Sequence, residues 1–66
     1  MTIEVNGRSE QFSEEISLSG FVKAKGYDLT KIAVELNGAI IPKSQYACCV
    51  LKEQDTLEIV TFVGGG

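Results

Sequence analysis

The chain has 66 residues, 44% of them hydrophobic, which predicts a single small domain with one core rather than a disordered chain. Nine acidic and six basic residues give a net charge of −3, which disfavours nucleic acid as a partner and favours proteins with basic docking faces. Histidine is absent, so the commonest acid/base group is missing and an independent enzyme is not expected.

The apolar stretches and the start of the chain predict a cytoplasmic protein, a compartment in which thiols are kept reduced. No apolar stretch approaches the roughly 20 residues that a membrane helix needs, and no export signal opens the chain. We therefore expect no membrane partner. Cys48 and Cys49 are neighbours, a spacing that strains a disulfide, and two thiols without histidine make a poor zinc site, so no metal is expected. One thiol should point inward and one outward; a role for either in handling sulfur is the alternative.

Residues 2–26 predict a hairpin followed by a helix. Residues 2–5 alternate like a half-buried strand, Asn6-Gly7 is a strong hairpin turn signal, and residues 8–12 return as the second strand. Ser17 is a plausible N-cap, and Gly26 can end the helix in the left-handed conformation. The helical stripe that should face the core consists of Leu18, Phe21 and Val22.

Residues 32–63 predict three more strands. Residues 32–36 alternate, Asn37-Gly38 marks a second hairpin, and residues 39–41 form a short return strand that ends at Pro42. Residues 43–46 predict a turn or a single 3₁₀ turn, residues 47–51 an extended or irregular segment and residues 52–55 a polar turn. Residues 56–63 predict the last and longest strand.

The order of elements predicts an α+β fold. One main helix should pack on one face of a mixed sheet of four to five strands. On the last strand, Leu57 and Ile59 should face the core, while Val60 and Phe62 share the more exposed face with Glu58. Val60 and Phe62 are therefore candidate partner-binding residues, together with the adjoining Val63. The alternative is that Val60 and Phe62 fill a second small core beneath residues 46–51.

The last strand runs directly into three glycines, and the carboxylate of Gly66 is the candidate reactive group. Three extended residues span at most roughly 10 Å, enough to enter a narrow cleft on a partner, and glycines follow paths that side chains would block. A carboxylate anion is a poor electrophile, so it must be activated. The simplest activation is reaction with the α-phosphate of ATP, which gives an acyl-adenylate. The acyl-adenylate could then accept sulfur or an amine. A frayed end or a cloning remnant is the alternative for the glycines.

The terminus Phe62-Val63-Gly64-Gly65-Gly66, the length and the element order resemble the ThiS family, the sulfur carriers of thiamine biosynthesis. The resemblance spans the whole chain and implies a β-grasp (ubiquitin-like) domain over residues 1–63 and a flexible glycine tail over residues 64–66.

The resemblance also implies a reaction. A ThiF-type adenylating enzyme would use ATP and magnesium to activate Gly66, while Gly64 and Gly65 thread its cleft. A cysteine desulfurase or another persulfide donor would supply the sulfur, and thiazole synthase would consume the thiocarboxylate. The chain would bind no cofactor itself and would serve as a cosubstrate rather than an enzyme. The alternatives are a sulfur carrier of another pathway, such as that of molybdopterin synthase, a ubiquitin-like protein modifier, or an interaction module with an inert tail.

Overall fold

The computed structural model describes residues 1–62; the predictions for Val63, Gly64, Gly65 and Gly66 fall outside the described residues. Within that range the chain forms five strands, one α-helix and two short 3₁₀ helices. The strands are β1 (Thr2–Val5), β2 (Arg8–Gln11), β3 (Ile32–Leu36), β4 (Ala39–Ile41) and β5 (Thr56–Thr61). The α-helix is α1 (Leu18–Ala24), and the 3₁₀ helices span Leu29–Lys31 and Lys43–Gln45.

The five strands form one mixed sheet in the order β2-β1-β5-β3-β4. The last strand, β5, lies in the middle, parallel to β1 and antiparallel to β3. The helix α1 connects the N-terminal hairpin to β3 and covers one face of this sheet. This arrangement confirms the predicted β-grasp class, with five strands rather than four.

Both Asn-Gly pairs form the predicted hairpin turns. Asn6 and Gly7 have φ angles of 50° and 83°, and Asn37 and Gly38 have φ angles of 52° and 88°. Two successive positive φ angles are the requirement of the type I′ turn, which suits the right-handed twist of the paired strands. The turn chemistry therefore fixes the register of both hairpins.

Two strand ends differ from the prediction. The second strand ends at Gln11 rather than Phe12, although the Phe12 amide still donates to the Met1 carbonyl at 2.9 Å. The Phe12 ring instead packs edge-on against Phe21, with ring centroids 5.3 Å apart. The last strand ends at Thr61, two residues before its predicted end at Val63.

The ends of α1 follow its capping residues. The Ser17 hydroxyl accepts a hydrogen bond from the Gly20 amide at 3.0 Å, as expected of an N-cap. At the other end Gly26, at φ 87°, donates to the Lys23 carbonyl, and the Tyr27 amide donates to Val22. This pair of hydrogen bonds is the Schellman motif, which satisfies carbonyls that the end of a helix leaves free.

The core contains the predicted side chains from the helix and the sheet, together with two others from the segment after β4. Tyr46 is 3% exposed and Leu51 is 0% exposed, so residues 46–51 contribute to the main core. The alternative in which Val60 and Phe62 fill a second core beneath this segment is wrong, because these two residues are 58% and 49% exposed. The buried residues are Ile3, Val5, Leu18, Phe21, Val22, Ile32, Val34, Tyr46, Leu51, Leu57 and Ile59.

Among the helices of residues 1–62, none has the length and apolar character needed to cross a membrane.

Candidate functional site

The strand that leads to the glycines is paired with β3 up to its last residue. Thr61 lies opposite Ile32 on β3, and the Phe62 amide donates to the Lys31 carbonyl at 2.7 Å. Backbone hydrogen bonding therefore continues one residue past the end of β5. The four residues that follow, which include the predicted attachment site Gly66, lie outside the described residues.

The side chains of both turn asparagines bind the backbone of β5. Asn6 hydrogen-bonds Ile59, and the Asn37 side-chain oxygen accepts from the Thr56 amide at 2.9 Å. Asn37 is itself oriented by Asp55, whose carboxylate accepts from the Asn37 amide group at 3.0 Å. The same residues that make the two turns thus anchor the strand that presents the glycines.

The two faces of β5 have the environments that their alternation predicts. Leu57 and Ile59 are buried against the helix side, at 0% and 6% exposure. Val60 and Phe62, the candidate partner-binding residues, are 58% and 49% exposed. An exposed aliphatic and an exposed aromatic side chain at adjacent positions on one face are suited to anchoring a partner protein. Val63, the third candidate, is outside the described residues.

The face of the sheet opposite α1 carries a further feature that sequence reasoning missed. Ile40 on β4, Glu35 on β3 and Glu58 on β5 are cross-strand partners and form one row across the sheet. Ala33 and Val60 form the next row toward the end of β5. Ile40 is 75% exposed, which is a larger exposed fraction than that of Val60 or Phe62. Its outward position could have been found by applying strand alternation to residues 39–41.

A polar turn lies beside the end of β5. Asp28 precedes the 3₁₀ helix Leu29–Lys31, and its carboxylate accepts from the Thr30 hydroxyl at 2.7 Å and the Thr30 amide at 2.9 Å. These hydrogen bonds, assisted by the charges of Lys31 and Lys43, lower the pKa of Asp28 below its ordinary value. Asp28 therefore caps the segment whose Lys31 carbonyl receives the Phe62 amide.

The cysteines occupy the predicted environments. Cys48 is exposed, Cys49 is half-buried and packs against the core, and both thiols are free. Together with Gln45 they line an open depression. Within residues 1–62, no group of three or more histidine, cysteine, aspartate or glutamate residues is placed to hold a metal ion.

Comparison with known families gives a match over nearly the whole chain. The model of the ThiS family matches residues 2–66. Among solved structures, the crystal structure of the thiamine biosynthesis protein (ThiS) from Geobacter metallireducens superposes with a TM-score of 0.84 at 28% identity, covering 100% of both chains. A solution structure of a thiamine biosynthesis protein from the same organism gives a TM-score of 0.82 at 26% identity, covering 100% of this chain and 88% of that one.

Similar sequences occur both in longer proteins and in proteins of similar length. A thiazole synthase from Paramagnetospirillum magneticum is 41% identical over all 66 residues, and the chain spans 20% of its length. A thiazole synthase from Magnetococcus marinus is 36% identical, again with 20% of its length covered. The uncharacterized protein ycf40 of Pyropia yezoensis is 35% identical, with 93% of its length and all of this chain covered.

Proposed function

The chain belongs to the ThiS family of sulfur carriers in thiamine biosynthesis, and we propose that it carries sulfur as a thiocarboxylate on Gly66. The observation that carries this proposal is the continuity between β5 and the glycines. Backbone hydrogen bonds hold the chain as far as Phe62, and the glycines begin two residues later. The four residues after Phe62 span at most roughly 13 to 14 Å when extended, enough to reach into the active site of an enzyme.

In the first step, a ThiF-type enzyme binds ATP and magnesium and positions the Gly66 carboxylate. A carboxylate oxygen attacks the α-phosphorus of ATP, and pyrophosphate leaves. The product is an acyl-adenylate, in which the carbonyl carbon of Gly66 has become electrophilic. The chain supplies the carboxylate and the recognition surface, while the enzyme supplies the catalytic groups, so the chain is a cosubstrate.

In the second step, the terminal sulfur of a protein persulfide attacks that carbonyl, and AMP leaves. A cysteine desulfurase generates the persulfide. A thiol then attacks the donor cysteine's sulfur in the resulting acyl disulfide. The thiocarboxylate leaves on Gly66, and a disulfide forms between that thiol and the donor cysteine. We place these reactions in the cytoplasm, where ATP is available and thiols are kept reduced.

The proposed sulfur acceptor is thiazole synthase. Two proteins of that name contain a segment similar to this whole chain, at 41% and 36% identity. A carrier and its acceptor that are joined in one chain in some organisms are good candidates for partners where they are separate. The released carrier regains a carboxylate and can be loaded again.

Intact-mass analysis tests the proposal. The chain is incubated with ATP, magnesium, the adenylating enzyme from the same organism, a cysteine desulfurase and cysteine. We expect a gain equal to the exchange of one oxygen for sulfur, and no gain in a chain that lacks Gly66. A double variant, Cys48→Ser with Cys49→Ser, serves as control and should be loaded normally.

Two results would contradict the proposal. A chain without Gly66 that still gains the sulfur mass would show that the sulfur is attached elsewhere. Isopeptide-linked products on lysines, with no free thiocarboxylate, would instead identify a protein modifier.

A further inference from the structure

The open face of the sheet carries the entire net charge of the chain. The strand residues that point away from α1 are Thr2, Glu4, Ser9, Gln11, Ala33, Glu35, Ile40, Thr56, Glu58 and Val60. Three of them are glutamates, and none is lysine or arginine. The remaining six acidic residues of the chain balance its six basic residues, so the net charge of −3 resides on this face.

The two central glutamates are placed against each other and beside apolar side chains. Glu35 and Glu58 are direct cross-strand partners, and Ile40 continues their row on β4. Like charges directly opposite in a sheet are destabilising, so the fold gains nothing from this pair. The ion pair that the described residues do form joins Lys25 to Glu10 on the helix side and leaves both central glutamates without a cation.

We infer that this open face binds a basic surface of the activating enzyme, with an arginine of the enzyme between Glu35 and Glu58. This inference rests on the proposed function, because it names the recognition chemistry of the same partner. Ile40 and Val60, at 75% and 58% exposure, flank the acidic pair and supply the apolar contacts around the cation.

Arginine fits this arrangement better than lysine does. Directly opposite residues of an antiparallel pair have Cβ atoms about 4.5 to 5.5 Å apart, so one planar guanidinium can donate to both carboxylates. Its aliphatic stem packs along apolar side chains, which Ile40 and Val60 provide here. Arginine is also enriched at the centres of protein interfaces.

The charge of the face argues against other occupants. Nucleic acid and anionic membrane surfaces would be repelled by three carboxylates without a compensating cation. A second copy of the chain docked through the same face would bring two such acidic faces together, because a two-fold interface pairs a surface with itself. A basic protein surface is the occupant that gains from both the charge and the apolar neighbours.

The test compares two double variants that remove the same charge from different places. Glu35→Gln with Glu58→Gln neutralises the cross-strand pair, and Glu14→Gln with Glu15→Gln neutralises two exposed residues before α1. Affinity for the adenylating enzyme and the association rate are measured between low and high salt, with thermal melting as the check on folding. We expect the sheet-face variant to bind about tenfold more weakly, with a flatter salt dependence, and the control to resemble the wild type.

The outcomes separate this inference from the proposed function. Equal weakening in both variants, no weakening in either, or no binding of the wild-type chain would overturn the inference. Sulfur loading of the wild-type chain, followed by intact mass, tests the proposed function independently. A wild-type chain that binds through Glu35 and Glu58 but gains no sulfur would leave the inference standing and remove the function.

Discussion

The Asn6 side chain exchanges two hydrogen bonds with the backbone of Ile59. The Ile59 amide donates to the Asn6 side-chain oxygen at 2.7 Å, and the Asn6 amide group donates to the Ile59 carbonyl at 3.2 Å. The backbone ladder between β1 and β5 reaches the Asn6 amide, which donates to Leu57 at 2.9 Å. The side chain therefore continues the parallel ladder beyond the end of β1 and satisfies a buried residue of β5.

Replacing Asn6 by glycine should destabilise the protein by roughly 1 to 3 kcal/mol, because it leaves the Ile59 amide and carbonyl without partners. Glycine tolerates the positive φ of this position, so the loss reports the hydrogen bonds rather than backbone strain. Asn37→Gly is the matched control in the other turn, where the hydrogen bonds are exposed, and it should cost less. Urea unfolding measures the free energy of unfolding of both variants. Equal losses of stability would contradict the claim that the Asn6 hydrogen bonds to Ile59 matter more than those of Asn37.

Phe62→Ala should weaken binding to the adenylating enzyme roughly tenfold while leaving the fold intact, since the ring is 49% exposed. Val60→Ala should act in the same direction with a smaller effect. Val50→Ala is the control, because Val50 is an exposed valine outside the sheet, paired with Ser17. Titration calorimetry gives the affinities. A loss at Val50 as large as the loss at Val60 would show that the sheet face is not the docking surface.

Glu58→Gln should stabilise the isolated protein by about 0.2 to 1 kcal/mol, because it removes the repulsion from Glu35. For a domain of this size, that range corresponds to an increase in Tm of roughly 1 to 8 °C. The gain should shrink as salt is added, since exposed charges are screened. Thermal melts at low and high salt check this prediction, with Glu14→Gln as the reference. A decrease in Tm would contradict the premise that the opposed Glu35 and Glu58 charges destabilise the sheet.

Stability should fall at alkaline pH because of Tyr46. Burial raises the pKa of the Tyr46 phenol above its ordinary value of 10.0, and a hydrogen bond at the Val34 backbone offsets part of that shift. As the pH rises above about 10, the unfolded chain loses this proton before the folded one, so unfolding becomes more favourable. Tyr46→Phe should lose less stability between about pH 8 and pH 11 in urea titrations. An identical pH dependence in both proteins would rule out Tyr46 as the source.

Local signals predicted most of the fold. The two Asn-Gly pairs located both hairpins because few other residues accept two successive positive φ angles. Strand alternation placed Leu57 and Ile59 inside and Val60 and Phe62 outside, as the structure has them. The parallel pairing of β1 with β5 involves residues more than fifty positions apart, so no local pattern could reveal it.

The sequence analysis missed features of two kinds. Some lie in segments without a helical or strand repeat of apolar residues, and others depend on how one strand is paired with another. Tyr46 and Leu51 belong to an irregular segment, and they are buried because that segment runs beside the start of α1, where Tyr46 accepts from the Ser19 amide. The pairing of Glu35 with Glu58 requires the register of β3 against β5. The functional interpretation of Gly66 came from the terminal motif and the resemblance, and it stays a prediction.

Fragmentation of the loaded, intact chain in the mass spectrometer tests most directly whether sulfur is carried at Gly66. If the sulfur is carried at Gly66, every fragment containing Gly66 should carry the oxygen-to-sulfur mass difference. Fragments that contain Cys48 and Cys49 but lack Gly66 should carry none. Sulfur found on a fragment with the cysteines and without Gly66 would contradict the account.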